Sequence, residues 1–466
     1  LEADMTDVRK SRKTRTRRDF IPPIELLAEL RSNARPAGKL LAMAWEREDG
    51  CVSRYDLPLP ARGADSPQVL ALAERIAKFL LWSAGGWRLM LAGPPELCEA
   101  LKKKYSKTGA RKFDATLMES VYGRPMIVER LPLSKMPRAR DRALKMDNRF
   151  DGCRLGFDLG ASDFKISAVE NGEVKFSDEF PWDPRNQPDP EYHYAKLNEG
   201  LRKAAAALPR VDAIGGSTAG VVVNNSIKVA SLFRAIPAAR YPQAQAMFQR
   251  LQKEWNVPVE VANDGDVTAL AGLLSLGKKG ILGVAMGSSQ AAGFIDRKGR
   301  LTGRLSELAF APVDLHPDAP ADEWSGDVGV GAMYFSQQAV NHLALKNGLR
   351  FPDDMALPER LVKVQELLQE GNAIAFKIFQ RIGLYLGYSV PWYREFYGFD
   401  NLMILGRVTS GLGGTVILQT ANMILNDLFP ATAEQVEVFL PDERARRVGQ
   451  SVAAASLPVI QKGGAR

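Results

Sequence analysis

Cysteine is scarce in this chain of 466 residues. Cys51, Cys98 and Cys153 stand too far apart to make a metal-ligand spacing or a disulfide framework for so long a polypeptide. A reducing, cytoplasmic compartment is the expectation. No run approaches the roughly 18 uncharged apolar residues that span a bilayer, so no membrane partner is expected. Aromatic residues are missing from the basic stretch Arg9, Lys10, Arg12, Lys13, Arg15, Arg17 and Arg18, which leaves nucleic-acid bases nothing to stack on. That stretch also lacks the apolar segment of a signal peptide, because Phe20 to Leu30 is broken by Pro22, Pro23, Glu25 and Glu29.

Hydrophobic residues make up 45% of the chain, enough for a substantial core, and the length suggests roughly two to four domains. The net charge of +8 is local. Taking the seven basic residues of the stretch from the total of 62 leaves 55 against 54 acidic ones, a nearly neutral body. Residues 1–20 therefore read as a solvated basic tail, and nucleic acid is not an expected partner except through it.

Lys39 to Trp45 and Cys51 to Leu57 read as strands, Val69 to Trp82 as an amphipathic helix, Trp87 to Ala92 as a strand, Pro95 to Lys104 as a helix and Pro125 to Leu131 as a strand. A small α/β domain of unassigned role over 21–150 follows. Lys135 to Arg149, basic and with Pro137, suits a linker. Beyond it, Leu155 to Asp158, Lys165 to Glu170 and Val174 to Phe180 are three short strands, then Tyr194 to Ala207 a helix and Ala213 to Gly216 a buried strand. Three meandering strands followed by alternating helix and strand is the plan of a ribonuclease-H-like domain. Val259 to Ala262 adds a strand, and a second cycle opens at Gly280 to Met286 and reaches Asn401 to Leu405. The expected architecture is α/β, with two such halves around a cleft: 151–265 with a C-terminal helix over 444–460, and 266–443.

Four segments stand in order at strand ends. They are Asp158-Leu-Gly160-Ala-Ser162 with Lys165, Asn263-Asp264-Gly265-Asp266, Met286-Gly287-Ser288-Ser289 and Ile404-Leu405-Gly406-Arg407. A carboxylate at a strand end can hold a hydrated metal ion, and Gly and Ser let backbone amides approach phosphate oxygens. Together these segments, over about residues 151 to 460, resemble the ROK family of glucokinase-like sugar kinases and repressors, within the sugar kinase, heat-shock protein and actin superfamily. Leu305-Ser-Glu-Leu-Ala-Phe310 is similar to the family's sugar and zinc segment, and Glu323-Trp-Ser-Gly326-Asp-Val-Gly329-Val330 to its cysteine cluster.

The resemblance implies ATP-dependent phosphorylation of a hexose or amino-sugar and a homodimer. Asp264 would be the base, Asn263, Glu307 and Thr218 would bind the sugar, and Asp158 would organise Mg²⁺ through water. Gly160, Ser162, Lys165, Gly287 and Ser288 would meet phosphates, and Gly406 would lie by the adenosine. Asn263-Asp264 is equally an N-cap pair opening a helix. No zinc is expected, since the cysteines of the family cluster are absent and Phe310 stands for its histidine; His316 alone is no site.

Several positions depart from the family pattern. Ala161 replaces a phosphate-loop glycine, Ser289 to Ala292 a glycine-rich run, Arg407 a glycine and Ala332 a sugar-binding glutamate. Two further readings therefore stay open: an impaired sugar-kinase-like sensor or scaffold with a degraded nucleotide site, and a ROK-type transcriptional regulator. The second would need an N-terminal winged helix-turn-helix, and the strands expected before residue 150 do not suit it. The aromatic group Trp392, Tyr393, Phe396, Tyr397 and Phe399 reads as core or a subunit interface after a helix.

Overall fold

The computed structural model describes residues 19–34, 38–141, 144–145, 150–160, 163–441 and 449–460. The basic stretch over 9–18 lies outside the described residues, as do Ala161 and Ser162.

Along the chain, helix α1 (Pro23–Ser32) precedes strands β1 (Leu40–Glu46) and β2 (Val52–Pro58), helix α2 (Pro67–Ala84) and strand β3 (Arg88–Ala92). Helices α3 (Pro95–Lys104) and α4 (Lys112–Tyr122) and strand β4 (Ile127–Arg130) follow. The sheet has the order β2-β1-β3-β4, with only β3 and β4 parallel. Helix α2 is set by its ends: Ser66 Oγ accepts from the Val69 amide, Pro67 needs no amide partner, and Gly85 at φ 88° stops it. Val69, Leu72, Ile76, Phe79, Leu80, Leu81 and Trp82 are all buried, so the helix is apolar nearly all round.

Next come β5 (Cys153–Leu159), β6 (Asp163–Glu170), β7 (Glu173–Pro181), α5 (Pro190–Ala205), β8 (Ala213–Thr218), α6 (Met247–Trp255), β9 (Val259–Asn263) and α7 (Asp264–Leu276). Their sheet runs β9-β8-β5-β6-β7, with β9, β8 and β5 parallel and β5, β6 and β7 antiparallel. The core on it includes Phe157, Phe164, Ile166, Leu197, Leu201, Phe248 and Leu251.

The remainder comprises β10 (Ile281–Met286), β11 (Gln290–Ile295), α8 (Gln337–Lys346), α9 (Leu357–Gln369), α10 (Ala373–Tyr397), β12 (Asn401–Leu405), α11 (Leu412–Leu428), β13 (Glu437–Phe439) and α12 (Gln450–Ala455). A third sheet has the order β13-β12-β10-β11, extended by Arg300–Leu301 and Leu144–Lys145. The fold is thus mixed α/β with several mixed sheets. Contacts divide the chain into two compact units. The first holds the described part of Leu1–Arg142 with Val284–Ala292 and Gly303–Leu440; the second holds the described part of Ala143–Gly283, Gly293–Thr302 and the described part of Pro441–Arg466.

Two expectations change. The stretch Lys135 to Arg149 is more than a linker: Val52 and Arg140 exchange backbone hydrogen bonds at 2.8 Å, and Leu144–Lys145 pairs with Arg300–Leu301. Its charges hid this, because backbone pairing needs no apolar side chain. Trp392, Tyr393, Phe396 and Tyr397 do not follow a helix but end α10, which runs on through Pro391 to Tyr397, with Phe399 just beyond it. Trp392 and Tyr393 are fully buried, and Phe79 stacks on Phe396 at 4.2 Å, so this is core of the first unit.

Candidate functional site

In the second unit the parallel strands β5, β8 and β9 end level with one another. Leu159 pairs with Thr218 and Thr218 with Asn263, while Asp158 lies opposite Ser217. Side chains at such carboxyl ends are left uncovered by the sheet, which is why ligands collect there in open α/β folds.

Asp264 is put in place by the start of α7. Asn263 is extended at φ -62°, ψ 146°, its Oδ1 accepts from the Gly265 amide at 2.8 Å, and its Nδ2 donates to the Gly220 carbonyl at 2.8 Å. The N-cap reading of Asn263 therefore holds, and both ends of its carboxamide are engaged within the protein. Asp264 Oδ1 also accepts from the Gly265 amide, at 2.9 Å. Gly293 lets β11 approach this turn, since a Cβ there would sit 2.0 Å from the Gly265 carbonyl carbon.

Burial pushes the Asp264 carboxyl up to about 7, and the neighbouring charge of Asp158 adds to the rise. Burial likewise pushes Asp158 up to about 6, opposed by the nearby Ser217 hydroxyl and the charge of Lys165. Asp266 is raised to about 7 by burial, although its Oδ1 accepts from the Phe294 amide at 3.1 Å. Two neighbouring carboxyls that titrate near neutrality suit a group that accepts a proton from a hydroxyl.

Sequence reasoning missed Gln450. With its amide oriented to satisfy both neighbours, Nε2 donates to Asp158 at 2.7 and 3.1 Å and Oε1 accepts from the Thr268 hydroxyl at 2.5 Å. Small residues bring α12 this close. A Cβ at Gly156 would meet the Ser451 carbonyl at 1.8 Å, and one at Gly215 the Ala454 carbonyl at 1.7 Å. The small residues of these segments, Gly156, Gly215 and the run Ala453 to Ala455, were the signal available.

Asp158, Gly160, Lys165, Thr218, Asn263 and Asp264 thus share one end of one sheet. Gly160 closes the β5–β6 turn, its amide donating to the Asp163 carbonyl at 3.0 Å, and a Cβ there would meet that oxygen at 2.7 Å. Lys165 is exposed, lies opposite Asp158 across the strand pair and sits 3.6 Å from Glu179. The Thr218 side chain is buried.

The other expected site residues belong to the first unit. Gly287 makes a tight turn, its amide donating to the Ser289 carbonyl at 2.9 Å, and Ser288 is exposed at its tip. Gly406, at φ 100°, ends β12 where a Cβ would meet the Met286 carbonyl at 2.6 Å, so the two strand ends touch through backbone alone. Glu307 is half-buried, and its amide donates to the Trp82 carbonyl at 2.9 Å.

The residues at the positions where the resemblance would imply zinc do not fit that metal. Phe310 lies in an aromatic stack, 4.5 Å from the Trp82 ring and 5.2 Å from that of Trp324. Ser325 hydrogen-bonds Asp322 at 2.7 Å, and Glu323 and Val330 occupy the remaining positions. Among the described residues no group of three or more His, Cys, Asp or Glu side chains is arranged to hold a metal ion. Asp158 and Asp264 carry carboxylate oxygens, the hard donor type that would suit Mg²⁺. Among the described residues no helix is long and apolar enough to cross a membrane.

No protein-family model and no curated protein matches the sequence. Solved structures do. A ROK family transcriptional regulator, a homologue of the E. coli MLC protein, is 18% identical, with 66% of this chain and 79% of that one covered at a TM-score of 0.53. A ROK hexokinase from Thermus thermophilus is 17% identical, with 66% and 97% covered at 0.51. A ROK family glucokinase from Streptomyces griseus, solved with glucose and AMPPNP, is 17% identical, with 66% and 99% covered at 0.49. Over about two thirds of its length this chain therefore has the actin-like fold of the ROK sugar kinases and regulators.

Proposed function

We propose that the protein is a ROK-type sugar kinase that transfers the γ-phosphoryl group of ATP to a hydroxyl of a hexose or amino-sugar. The observation that carries this reading is the Asp158–Asp264 pair at the level ends of three parallel strands, with Asp264 raised to about 7. A base poised near neutrality holds the sugar hydroxyl in line and takes its proton as the new P–O bond forms. Asp264 has that role in the proposal. Thr218 and Asn263 line the same strand ends, and Asn263 contributes by fixing the helix start that carries Asp264. Mg²⁺, held through water by Asp158, would neutralise phosphate charge. Gly160, Ser162, Lys165, Gly287 and Ser288 are proposed for the phosphates, Gly406 for the adenosine edge and Glu307 for a sugar hydroxyl. Two ribonuclease-H-like halves, a homodimer and a cytoplasmic location complete the proposal; the three cysteines are free and buried, as suits a reducing compartment.

The alternative is a sensor or scaffold that binds sugar without turning over ATP. Gln450 favours it, because its amide already occupies both oxygens of Asp158. A transcriptional regulator has less support: the described residues before 142 build a four-stranded sheet with helices rather than a winged helix-turn-helix. Calorimetric titration of the full chain with Mg·ATP and with a panel of hexoses and N-acetylhexosamines separates the first two readings. The kinase requires both ligands to bind, whereas sugar binding with no nucleotide binding replaces it with the sensor.

A further inference from the structure

We infer that the described residues of 20–141 act as a built-in brace for the Gly303–Val330 region of the first unit, holding it with buried ion pairs, a helix end and packed rings where the resemblance would imply a zinc site. Three sets of contacts carry this, all within the first unit.

First, Asp327 lies in the loop that resembles the cysteine cluster, and it faces three cations of the preceding segment. Its carboxylate is 2.9 Å from Arg75, 3.1 Å from Lys78 and 2.6 Å from Arg111. Although burial works against it, the charges of Lys78, Arg75 and Arg111 hold the Asp327 carboxyl well below the usual carboxylate range. The network continues inward. Lys78, 1% exposed, reaches Asp114 at 2.6 Å, Trp82 Nε1 donates to the same carboxylate at 2.7 Å, and Arg111 reaches Glu74 at 2.5 Å.

Second, the last carbonyls of α2 have no partner inside the helix. Those of Trp82, Ser83 and Ala84 accept in turn from the amides of Glu307 at 2.9 Å, Ser306 at 3.0 Å and Leu305 at 3.2 Å. Ser306 takes a positive φ of 52° to make this ladder, an uncommon conformation for a residue with a Cβ. Arg47 adds hydrogen bonds to the Gly303 and Ala84 carbonyls at 2.7 and 3.2 Å.

Third, Phe310, at the position of the family's zinc-binding histidine, is packed by Trp82 and Phe113 from one segment and Trp324 from the other. Apolar stacking thus stands where a metal bond would hold the loop. Charges, helix end and rings converge on one stretch, the stretch that carries Glu307. The brace fixes the Glu307 backbone whether or not phosphoryl transfer takes place, so it stands or falls apart from the kinase reading.

The test is hydrogen exchange by mass spectrometry on the full chain, native and Asp327→Asn. Loss of the anion takes from buried Lys78 and Arg111 and from half-buried Arg75 the partner they share, and exchange over 303–310 and 322–330 is expected to rise about tenfold or more, while Val259–Asn263 in the second unit keeps its protection. If Asp327→Asn loosens the whole protein, Arg111→Gln, which removes one of the three cations, is expected to give the same local rise. Unchanged exchange over both stretches in a folded Asp327→Asn or in Arg111→Gln overturns the inference. So does stoichiometric zinc in the native protein whose removal by chelator frees 303–330.

Discussion

Replacing Asp264 with asparagine should stabilise the protein while abolishing its proposed activity, and the two effects should separate with pH. The amide keeps the shape and the oxygen that accepts from the Gly265 amide, but it never ionises. Asp264 titrates at about 7 in the folded chain, against about 3.9 when unfolded. Because the folded pKa is raised, the stabilising effect of the proton is complete below about pH 4 and is lost as pH rises toward 7. Ionising the carboxyl in place therefore costs about 4 kcal/mol as an upper bound, each tenfold change in acidity being worth about 1.36 kcal/mol. Asp264 is partly open to solvent and coupled to Asp158, which reduces the expected cost to about 2 kcal/mol. For a unit of this size that is a rise in Tm of about 4–8 °C near pH 8, shrinking to nothing near pH 4. Thermal unfolding of both proteins across that range, with chelator to exclude Mg²⁺, reads it out. An asparagine variant no more stable than native at about pH 8, or a difference that does not shrink toward acid, would refute the argument that burial and Asp158 strain this carboxyl.

Gln450→Leu removes the donor from both Asp158 oxygens and should cost about 1–3 kcal/mol, with the Asp158 titration moving to higher pH, visible by carbon NMR. Lys78→Met leaves Asp114 with its Trp82 donor but no lysine, and a loss of about 3–5 kcal/mol in denaturant unfolding is expected; a change under about 1 kcal/mol would mean that Arg111 replaces it. Gly215→Ala would force α12 off its sheet, since the new Cβ would lie 1.7 Å from the Ala454 carbonyl, so soluble yield and Tm should both fall sharply.

Much of this was legible because it is local. The Leu155 to Phe180 meander shows in alternation and tight turns, and Asn263-Asp264 reads as a cap because Asn before an apolar helix is one. The helix α4 escaped notice because Arg111 at its start supplies no capping side chain and the stretch mixes charge with apolar residues. What lay beyond reach depends on partners distant in sequence. Nothing near Gln450 points to Asp158, and Lys78 in an apolar helix reads as a misplaced charge until Asp114 and Asp327 are seen beside it. Phe310 could be read as a lost zinc ligand from sequence, but its replacement by Trp82, Phe113 and Trp324 required the fold.

In the proposed reaction Asp264 takes a proton from a sugar hydroxyl during phosphoryl transfer. Transfer of labelled γ-phosphate from Mg·ATP to a panel of hexoses, N-acetylhexosamines and pentoses, run with the native chain and with Asp264→Asn at about pH 7.5, tests it directly. Phosphorylation of at least one sugar by the native protein is expected, with a loss of about 100-fold or more in the variant. No transfer to any sugar, or transfer that Asp264→Asn leaves intact, would contradict it.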